Sequence, residues 1–200
     1  MVLYDYLAPF YDPVLQPLYR PFRQRALEKL PELAGETVLD LACGTGQNFP
    51  TLMRRIGPGG RLIGVDLSSG MLQRADRWRK KKSHNNIKLL HLKATELENL
   101  PLQAEHVLCT YGFTAMREWE SAFRVSWNLL RPGGTYLIHD IYAEQPTFHS
   151  RTVEKVTNSD FSRRSWELLQ GVGNDFRMEF IDPSTWLFGG RLFVATGVKP

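Results

Sequence analysis

The chain has 200 residues, 42% of them apolar and 23% charged, and a formal net charge of +4. This length suits one domain with one substantial core, and the composition excludes a disordered or fibrous protein. No apolar run reaches the roughly 18 residues of a membrane-spanning helix, and the N-terminus lacks the pattern of a secretory signal. We therefore expect a single cytoplasmic domain over residues 1–200.

Short β-rich runs alternate with longer helical patterns between residues 37 and 142. The predicted strands cover residues 37–42, 61–66, 87–93, 105–111 and 135–142, and the predicted helices cover 48–56, 68–82 and 117–130. An apolar stripe from Val14 to Leu30 predicts an earlier helix, with Arg20, Arg23 and Arg25 nearby. After a polar, mixed region, two aromatic-rich strands over 175–181 and 191–198 predict an antiparallel hairpin. The alternation indicates a parallel sheet with helices on both faces.

The positions of the cysteines and of the basic residues limit the metal sites, disulfides and binding partners that the sequence can support. Cys43 and Cys109 have no partner at metal-ligand spacing, so the sequence predicts neither a disulfide framework nor a metal site. Much of the positive charge falls in RADRWRKKKSH, residues 74–84. This run could meet phosphates of nucleic acid or of an anionic membrane. We favour the simpler interpretation that it forms the solvated last turns of a helix, where the backbone dipole favours cations.

The stretch VLDLACGTGQN ends a predicted strand on an acid, Asp40, and continues into Gly44 and Gly46. Ligands of open parallel sheets bind beyond the carboxyl ends of strands, where glycines permit close approach. A dinucleotide site has a third glycine where Phe49 stands, and Asp40 would repel its phosphates. S-adenosylmethionine instead carries an ammonium, which Asp40 can attract directly or through water, and a carboxylate, which the helix N-terminus after Gly46 can meet. Asp66 ends the second strand and can accept hydrogen bonds from both ribose hydroxyls.

Five ordered stretches resemble the class I S-adenosylmethionine-dependent methyltransferases, and more closely the small bacterial group that includes quinone and phospholipid methyltransferases. They are VLDLACGTGQN, GVDLSSGML, ATELENLPL, HVLCTYGF and LLRPGGTYLIHD, within roughly residues 37–142. The resemblance implies an α/β fold with a doubly wound, mostly parallel seven-stranded sheet and an antiparallel last strand. We expect an N-terminal lid and helix over 1–35, a cofactor-binding core over 37–142, a substrate-cap insertion over 144–174 and a terminal hairpin over 175–200.

The resemblance also implies S-adenosylmethionine as the cofactor and a set of residues that bind it. The methionine end would be held by Asp40, Asn48 and the backbone of Ala42, Gly44 and Gly46. The ribose would be held by Asp66. The adenine would contact Leu67, Met71, the Glu96 carboxylate and the Leu97 amide, and the sulfonium would lie beside Thr110 and Tyr111. Two residues depart from the family pattern. Ala42 stands where the family usually has glycine, and Glu96 is longer than the usual aspartate.

The acceptor side is less defined. Methyl transfer from a sulfonium mainly requires alignment and exclusion of water, so a base is needed only for some acceptors. His139, at the end of the fifth strand, is the candidate base, although an ordinary hydrogen bond would explain it equally well. Tyr4 and Tyr11 match a segment that in related enzymes folds over the cofactor and places a tyrosine beside the methyl group. Anchoring of the first helix on the core is the alternative.

We expect methyl transfer to a small-molecule or amphipathic lipid-like acceptor that enters between the N-terminal segment and residues 144–174. Two alternatives stay open: transfer of a 3-amino-3-carboxypropyl group from the same cofactor, and a non-catalytic module that binds an anionic membrane or RNA through the basic helix. Nucleic-acid methylation in this fold usually relies on an Asn/Asp-Pro-Pro-aromatic stretch or a Pro-Cys nucleophile after the fourth strand. The sequence there is Cys-Thr-Tyr-Gly, residues 109–112, which argues against a nucleic-acid substrate.

Overall fold

One sheet of seven strands organises the part of the chain that the computed structural model describes, residues 18–145, 147–181 and 189–200. The strands are β1 Thr37–Leu41, β2 Arg61–Asp66, β3 Ile87–His91, β4 Ala104–Thr110, β5 Leu130–Tyr142, β6 Asn174–Phe180 and β7 Arg191–Val198. Their order is β3-β2-β1-β4-β5-β7-β6. The first five are parallel, and β7 runs antiparallel to both of its neighbours. The predicted fold class is therefore confirmed.

Helices cover both faces of this sheet. They are α1 over residues 18–27, α2 Phe49–Ile56, α3 Ser69–Lys81, a 3-10 helix Ala94–Asn99, α4 Trp119–Leu129, α5 Phe148–Thr157 and α6 Ser165–Val172. Ser68 caps α3 as predicted, because its hydroxyl accepts a hydrogen bond from the Met71 N–H at 3.2 Å. None of the helices in the described ranges is long and apolar enough to cross a lipid bilayer.

Alternate residues of the central strands enter two separate apolar cores. Val38 of β1 packs in one core with Phe49 and Leu52 of α2, whereas the adjacent Leu39 packs in the other with Phe123 of α4. Successive side chains of a strand point to opposite faces of a sheet. Both faces are covered, so these strands are apolar nearly throughout.

Residues 144–174 contain two helices that the sequence analysis did not predict. These helices, α5 and α6, have ten and eight residues. Between them, Arg163 donates hydrogen bonds to the carbonyl oxygens of Phe113, at 2.6 Å, and Met116. These bonds fasten the segment to the loop that follows β4.

Candidate cofactor site

A cavity of about 450 Å³ opens beyond the carboxyl ends of β1, β2 and β4. Its walls come from the loops after β1, β2, β3 and β4, together with Arg23 of α1 and Asn158 after α5. This edge is where open α/β sheets bind their ligands. The volume lies within the roughly 300–1,000 Å³ typical of ligand pockets.

Asp66 joins the first two loops of this cavity. One of its carboxylate oxygens accepts the Gly44 N–H at 2.8 Å, and the other accepts the Ser68 N–H at 2.8 Å. Gly44 has a φ of +57°, and a Cβ built on it would meet no atom within 4 Å. The missing side chain therefore leaves room for a ligand directly beside the Asp66 carboxylate.

Asp40 lies behind the cavity wall and is fully buried. Both of its oxygens accept hydrogen bonds from the Asn48 side-chain nitrogen, at 2.9 and 3.0 Å. Burial raises the pKa of Asp40 to about 7, although the Asn48 hydrogen bond and the positive charge of Arg23 act in the opposite direction. A cation in the cavity would therefore favour the ionised form of this carboxyl group.

Arg23 completes the same network from α1. Its Nη1 donates to the Thr110 hydroxyl at 2.6 Å and to the Asn48 side-chain oxygen at 3.3 Å. The guanidinium carbon lies 4.8 Å from the centre of the Tyr111 ring. Sequence analysis noted Arg23 only as one of three arginines on the helix and did not assign it to the site.

Tyr111 and His139 form a second pair at the end of β4. The His139 Nδ1 lies 2.7 Å from the Phe193 carbonyl oxygen, and its Nε2 lies 2.6 Å from the Tyr111 hydroxyl. Burial lowers the pKa of His139 to about 3, so the imidazole is neutral at ordinary pH. A carbonyl can only accept, so Nδ1 carries the hydrogen and Nε2 accepts the Tyr111 hydroxyl proton.

Seven of the predicted cofactor-binding residues line the cavity, and the others do not. The lining residues are Ala42, Gly44, Asp66, Leu67, Met71, Thr110 and Tyr111. Asp40, Gly46, Asn48, Glu96 and Leu97 lie outside its walls, as does the candidate base His139. Tyr4 and Tyr11 lie outside the described residues.

The positions of Gly46, Glu96 and Leu97 have structural explanations. A Cβ on Gly46 would come within 2.6 Å of the Phe49 ring, so this glycine permits packing. The Glu96 carboxylate accepts the Lys93 N–H at 2.7 Å at the start of the 3-10 helix, and Leu97 is fully buried. Residues 93–95 line the cavity in place of Glu96. The Glu96 carboxylate therefore caps its own helix, and its contact with adenine stays a prediction.

Part of the cavity wall is formed by residues that sequence analysis missed. Ala115, Met116, Arg117 and Glu118 follow β4, and Asn158 ends α5 in a left-handed conformation with a φ of +51°. The segment over 144–174 therefore reaches the cavity wall. The polar composition of that segment gave no sign of which residue would do so.

Ala42 has a φ of +52°, in the left-handed region that disfavours residues with a Cβ. We expect Ala42→Gly to raise the melting temperature by about 2 °C, since relief of roughly 1–2 kcal/mol of strain exceeds the added chain entropy of glycine. Thermal unfolding followed by circular dichroism would measure this change. Gly112→Ala is the control with the opposite expected result, a lower melting temperature, because a Cβ there would lie 2.8 Å from the Ala42 Cβ and 2.6 Å from the Cys109 sulfur. A lower melting temperature in Ala42→Gly would contradict the strain argument.

The donor set fits an adenosyl amino acid better than a dinucleotide. Asp66 offers carboxylate oxygens beside an open glycine, and the buried Asp40 disfavours phosphate nearby. The described residues bring together no group of three or more side chains suited to a metal ion. Fold and cavity thus define an α/β protein that binds a nucleoside with a cationic substituent.

Comparison with known proteins agrees with this class. Residues 38–134 match the family described as a methyltransferase domain. The chain is 30% identical over 164 residues to the demethylmenaquinone methyltransferase of Lactococcus lactis, covering 78% of this chain and 65% of that protein. It is 28% identical over 129 residues to the demethylmenaquinone methyltransferase of Oceanobacillus iheyensis, covering 64% and 53%. The chain thus spans less than two thirds of the length of either relative.

A solved structure shows the same fold. Geranyl diphosphate C-methyltransferase from Streptomyces coelicolor, in complex with S-adenosyl-L-homocysteine, has a TM-score of 0.76 at 14% identity, over 93% of this chain and 81% of that one. By sequence and by fold, the chain is therefore similar to the class I S-adenosylmethionine-dependent methyltransferases. The two relatives described above are quinone methyltransferases by name. The resemblance seen in the sequence is confirmed.

Proposed function

We propose that this protein transfers the methyl group of S-adenosylmethionine to a small, quinone-like acceptor. The observation that carries the proposal is the cavity of about 450 Å³, whose lining includes Asp66 after β2, Met116 after β4 and Asn158 after α5. One cavity can therefore hold a nucleoside cofactor and present its reactive end to a second molecule. The acceptor class is inferred from the two demethylmenaquinone methyltransferases that the chain resembles.

The residues of the cavity would share the work of binding. Asp66 would accept hydrogen bonds from the ribose hydroxyls, and Leu67 and Met71 would pack against the adenine, whose edge would face residues 93–95. S-adenosylmethionine supplies an activated methyl group bonded to a sulfonium. The charge of Asp40, acting from behind the wall, would favour the cationic end. Thr110 and Tyr111 would flank the reacting atoms.

Tyr111 would act on the acceptor rather than His139. The Tyr111 hydroxyl donates a hydrogen bond to His139, and a phenolic oxygen that donates can also accept, so Tyr111 would accept a hydrogen bond from a hydroxyl of the incoming molecule. His139 is fully buried and does not line the cavity, so its role would be to orient Tyr111. Tyr4 and Tyr11 stay candidates for a lid beside the methyl group.

Other features of the chain remain part of the proposal. We infer a single cytoplasmic domain in which residues 1–35 form the lid and first helix, 37–142 the cofactor core, 144–174 the acceptor cap and 175–200 the terminal hairpin. Peripheral contact with an anionic membrane is supported by Lys81 and Lys82, which are exposed at the end of α3. Nucleic acid is disfavoured as a substrate, since the residues after β4 lack both patterns of base methylation.

The direct test is an assay with methyl-labelled S-adenosylmethionine and a chemically reduced naphthoquinone in detergent. Label in the quinone together with S-adenosylhomocysteine would support the proposal. Methylthioadenosine as the nucleoside product would instead mean transfer of the 3-amino-3-carboxypropyl group. If S-adenosylhomocysteine does not bind, and RNA or anionic vesicles bind through residues 79–82, the protein would be a non-catalytic module.

Tyr111→Phe and His139→Asn are expected to lower kcat by similar factors of roughly fivefold to tenfold, because each removes the same hydrogen bond. Asn at 139 can still donate to the Phe193 carbonyl, which makes it the conservative choice. The double variant should be no slower than either single variant, since the residues act as a unit. Steady-state rates at saturating cofactor would measure this.

The pH dependence supplies a separate check. Because the pKa of His139 is lowered to about 3, its neutral form persists from pH 5 to 9 and should contribute no change in kcat there. If kcat of the wild type changed with pH near pH 6.5, and kcat of His139→Asn did not, His139 would titrate as an ordinary base. That result would contradict an orienting role.

A further inference from the structure

The outer edge of β6 is open to a further strand. β6 stands last in the strand order, and within residues 18–145, 147–181 and 189–200 it pairs with β7 alone. An edge strand presents unpaired N–H and C=O groups, which form a template for another strand. β3, the other edge strand, contains Lys88 and no acid, whereas β6 contains both Arg177 and Glu179. The two edges therefore differ in the charges that they offer to a partner.

The hydrogen bonds to β7 determine which backbone groups of β6 face outward. Just after β6, the Ile181 N–H donates to the carbonyl of Leu192, the residue opposite it in β7, at 2.9 Å. Opposite residues of an antiparallel pair alternate between hydrogen-bonded and non-hydrogen-bonded positions. The N–H and C=O groups of Met178 and Phe180 therefore point away from β7, toward the open edge.

The side chains of β6 form one apolar face and one charged face. Phe176, Met178 and Phe180 pack against the core on the α4 side of the sheet, but they are only half-buried. Arg177 and Glu179 alternate with them and are exposed on the other side. The strand thus carries unsatisfied backbone groups, partly exposed apolar side chains and two opposite charges along the same edge.

Arg177 lacks an acidic partner in its own chain. The Glu179 carboxylate forms an ion pair with Lys29, just after α1, at 2.6 Å. In the part of the chain that the structure describes, no ion pair joins Arg177 to a carboxylate. Charges of one sign along an edge would repel a second copy of the strand. An acid and a base two residues apart instead face each other when the strand meets its own copy in antiparallel orientation.

These charges also select a single register. With Met178 opposite Met178 of a second copy, Arg177 of each copy lies opposite Glu179 of the other, in non-hydrogen-bonded pairs, where side chains approach most closely. Moving the two-fold axis by one residue would place Arg177 opposite Arg177 or Glu179 opposite Glu179, and like charges opposite each other are destabilising. The selected register also sets Phe176 opposite Phe180 on the apolar face.

We infer that β6 pairs with β6 of a second copy of this chain, antiparallel and centred on Met178, so that the two sheets become continuous. A two-fold interface uses the same surface on both copies, and the stretch Phe-Arg-Met-Glu-Phe, residues 176–180, is complementary to itself in this way. Because the contact consists of one short strand from each copy, the dimer is weak and depends on protein concentration. None of the residues that line the cavity lies on β6, so each copy keeps its own cavity.

Sedimentation velocity over roughly 1–500 µM protein, a range that covers weak dissociation constants, would measure the dimer. The wild type is expected to shift from monomer to dimer. Arg177→Glu puts two acids opposite each other twice in the interface and should raise Kd by roughly tenfold to a hundredfold. Adding Glu179→Arg restores opposite charges and should recover most of the dimer. Lys88→Glu, the same change of charge at an exposed position of the other edge strand, is the matched control and should leave Kd unchanged.

A cysteine cross-link tests the register. In Met178→Cys the two thiols lie on the two-fold axis, and a Cα separation of about 5.5 Å permits a disulfide, so mild oxidation should give a covalent dimer. Phe176→Cys removes another half-buried side chain of the same face, but its thiols lie about 14 Å apart along the strand. This control should stay monomeric on a non-reducing gel. The native Cys43 and Cys109 are both buried.

The remaining outcomes would overturn the inference. A folded wild type that stays monomeric over the whole concentration range would exclude the dimer. A dimer that is insensitive to Arg177→Glu would use another surface, and a cross-link through position 176 instead of 178 would mean another register. Circular dichroism would show that each variant is folded. If Met178→Cys does not fold, the reversal of charge at Arg177 and Glu179, both exposed, decides alone.

Discussion

Asp66→Ala is expected to weaken S-adenosylhomocysteine binding by more than about a hundredfold, since two hydrogen bonds to a charged group are worth roughly 3–6 kcal/mol together. The carboxylate would lose its ribose partners, and the loops after β1 and β2 would lose the acceptor that joins Gly44 to Ser68. Calorimetry would measure the change. Methylthioadenosine should be weakened by a similar factor, because it carries the same ribose.

The matched control is Asp76→Ala, on the surface of α3. Asp76 pairs with Arg79 and Lys80 and does not line the cavity, so its loss should leave the affinity unchanged. Unfolding of Asp66→Ala at assay temperature would be detected by circular dichroism. In that event Asp66→Asn, which keeps one oxygen acceptor, should still bind more weakly than the wild type. Undiminished binding in a folded Asp66 variant would refute the ribose assignment.

Asp40→Asn is expected to separate stability from cofactor binding. A carboxyl group whose pKa is raised from 3.8 to about 7 by burial stabilises the fold below about pH 4, and this stabilisation is lost as the pH rises through 7. The loss amounts to as much as about 4 kcal/mol at 1.36 kcal/mol per pKa unit. The melting temperature of the wild type should therefore fall between pH 5 and 8, and that of Asp40→Asn should fall less. Burial raises the pKa of Asp140 to about 6, so Asp140 accounts for the decrease of melting temperature with pH that remains in Asp40→Asn.

Ligand binding should show the opposite preference. The ammonium of the amino acid moiety favours ionised Asp40, so wild-type affinity for S-adenosylhomocysteine should increase roughly tenfold from pH 6 to pH 8. Asp40→Asn should bind more weakly at pH 8 and show little pH dependence. Methylthioadenosine, which has no ammonium, serves as the control ligand and should bind both proteins alike at each pH. If the affinity for S-adenosylhomocysteine depended on pH equally in the wild type and in Asp40→Asn, the charge of Asp40 would not contribute to binding.

Local patterns were sufficient to predict most of the fold. β2 and β7 have the predicted bounds, and the cap at Ser68 is formed as expected. These features depend on residues close together in the chain. β4 ends one residue earlier than predicted because Tyr111 turns to a φ of +55°, although tyrosine is a residue that ordinarily favours strands.

The side-chain partners of the site depend on contacts far apart in the sequence. Arg20, Arg23 and Arg25 look alike on the helical stripe, and only the packing of α1 against β4 distinguishes Arg23. Glu96 occupies the family position for an adenine contact, and only the structure shows that it also caps its own 3-10 helix. Asn158 reaches the cavity because α5 ends there, and the polar composition of residues 144–174 gave no sign of that helix.

The antiparallel strand β7 has a chemical consequence as well as a topological one. The Phe193 carbonyl, in the middle of β7, is the acceptor that keeps the hydrogen of His139 on Nδ1. The imidazole tautomer is thus decided by a residue 54 positions later in the chain. Changes that shift the register of the terminal hairpin would release the ring to its other tautomer, so catalysis in this protein should be sensitive to substitutions remote from every bound molecule.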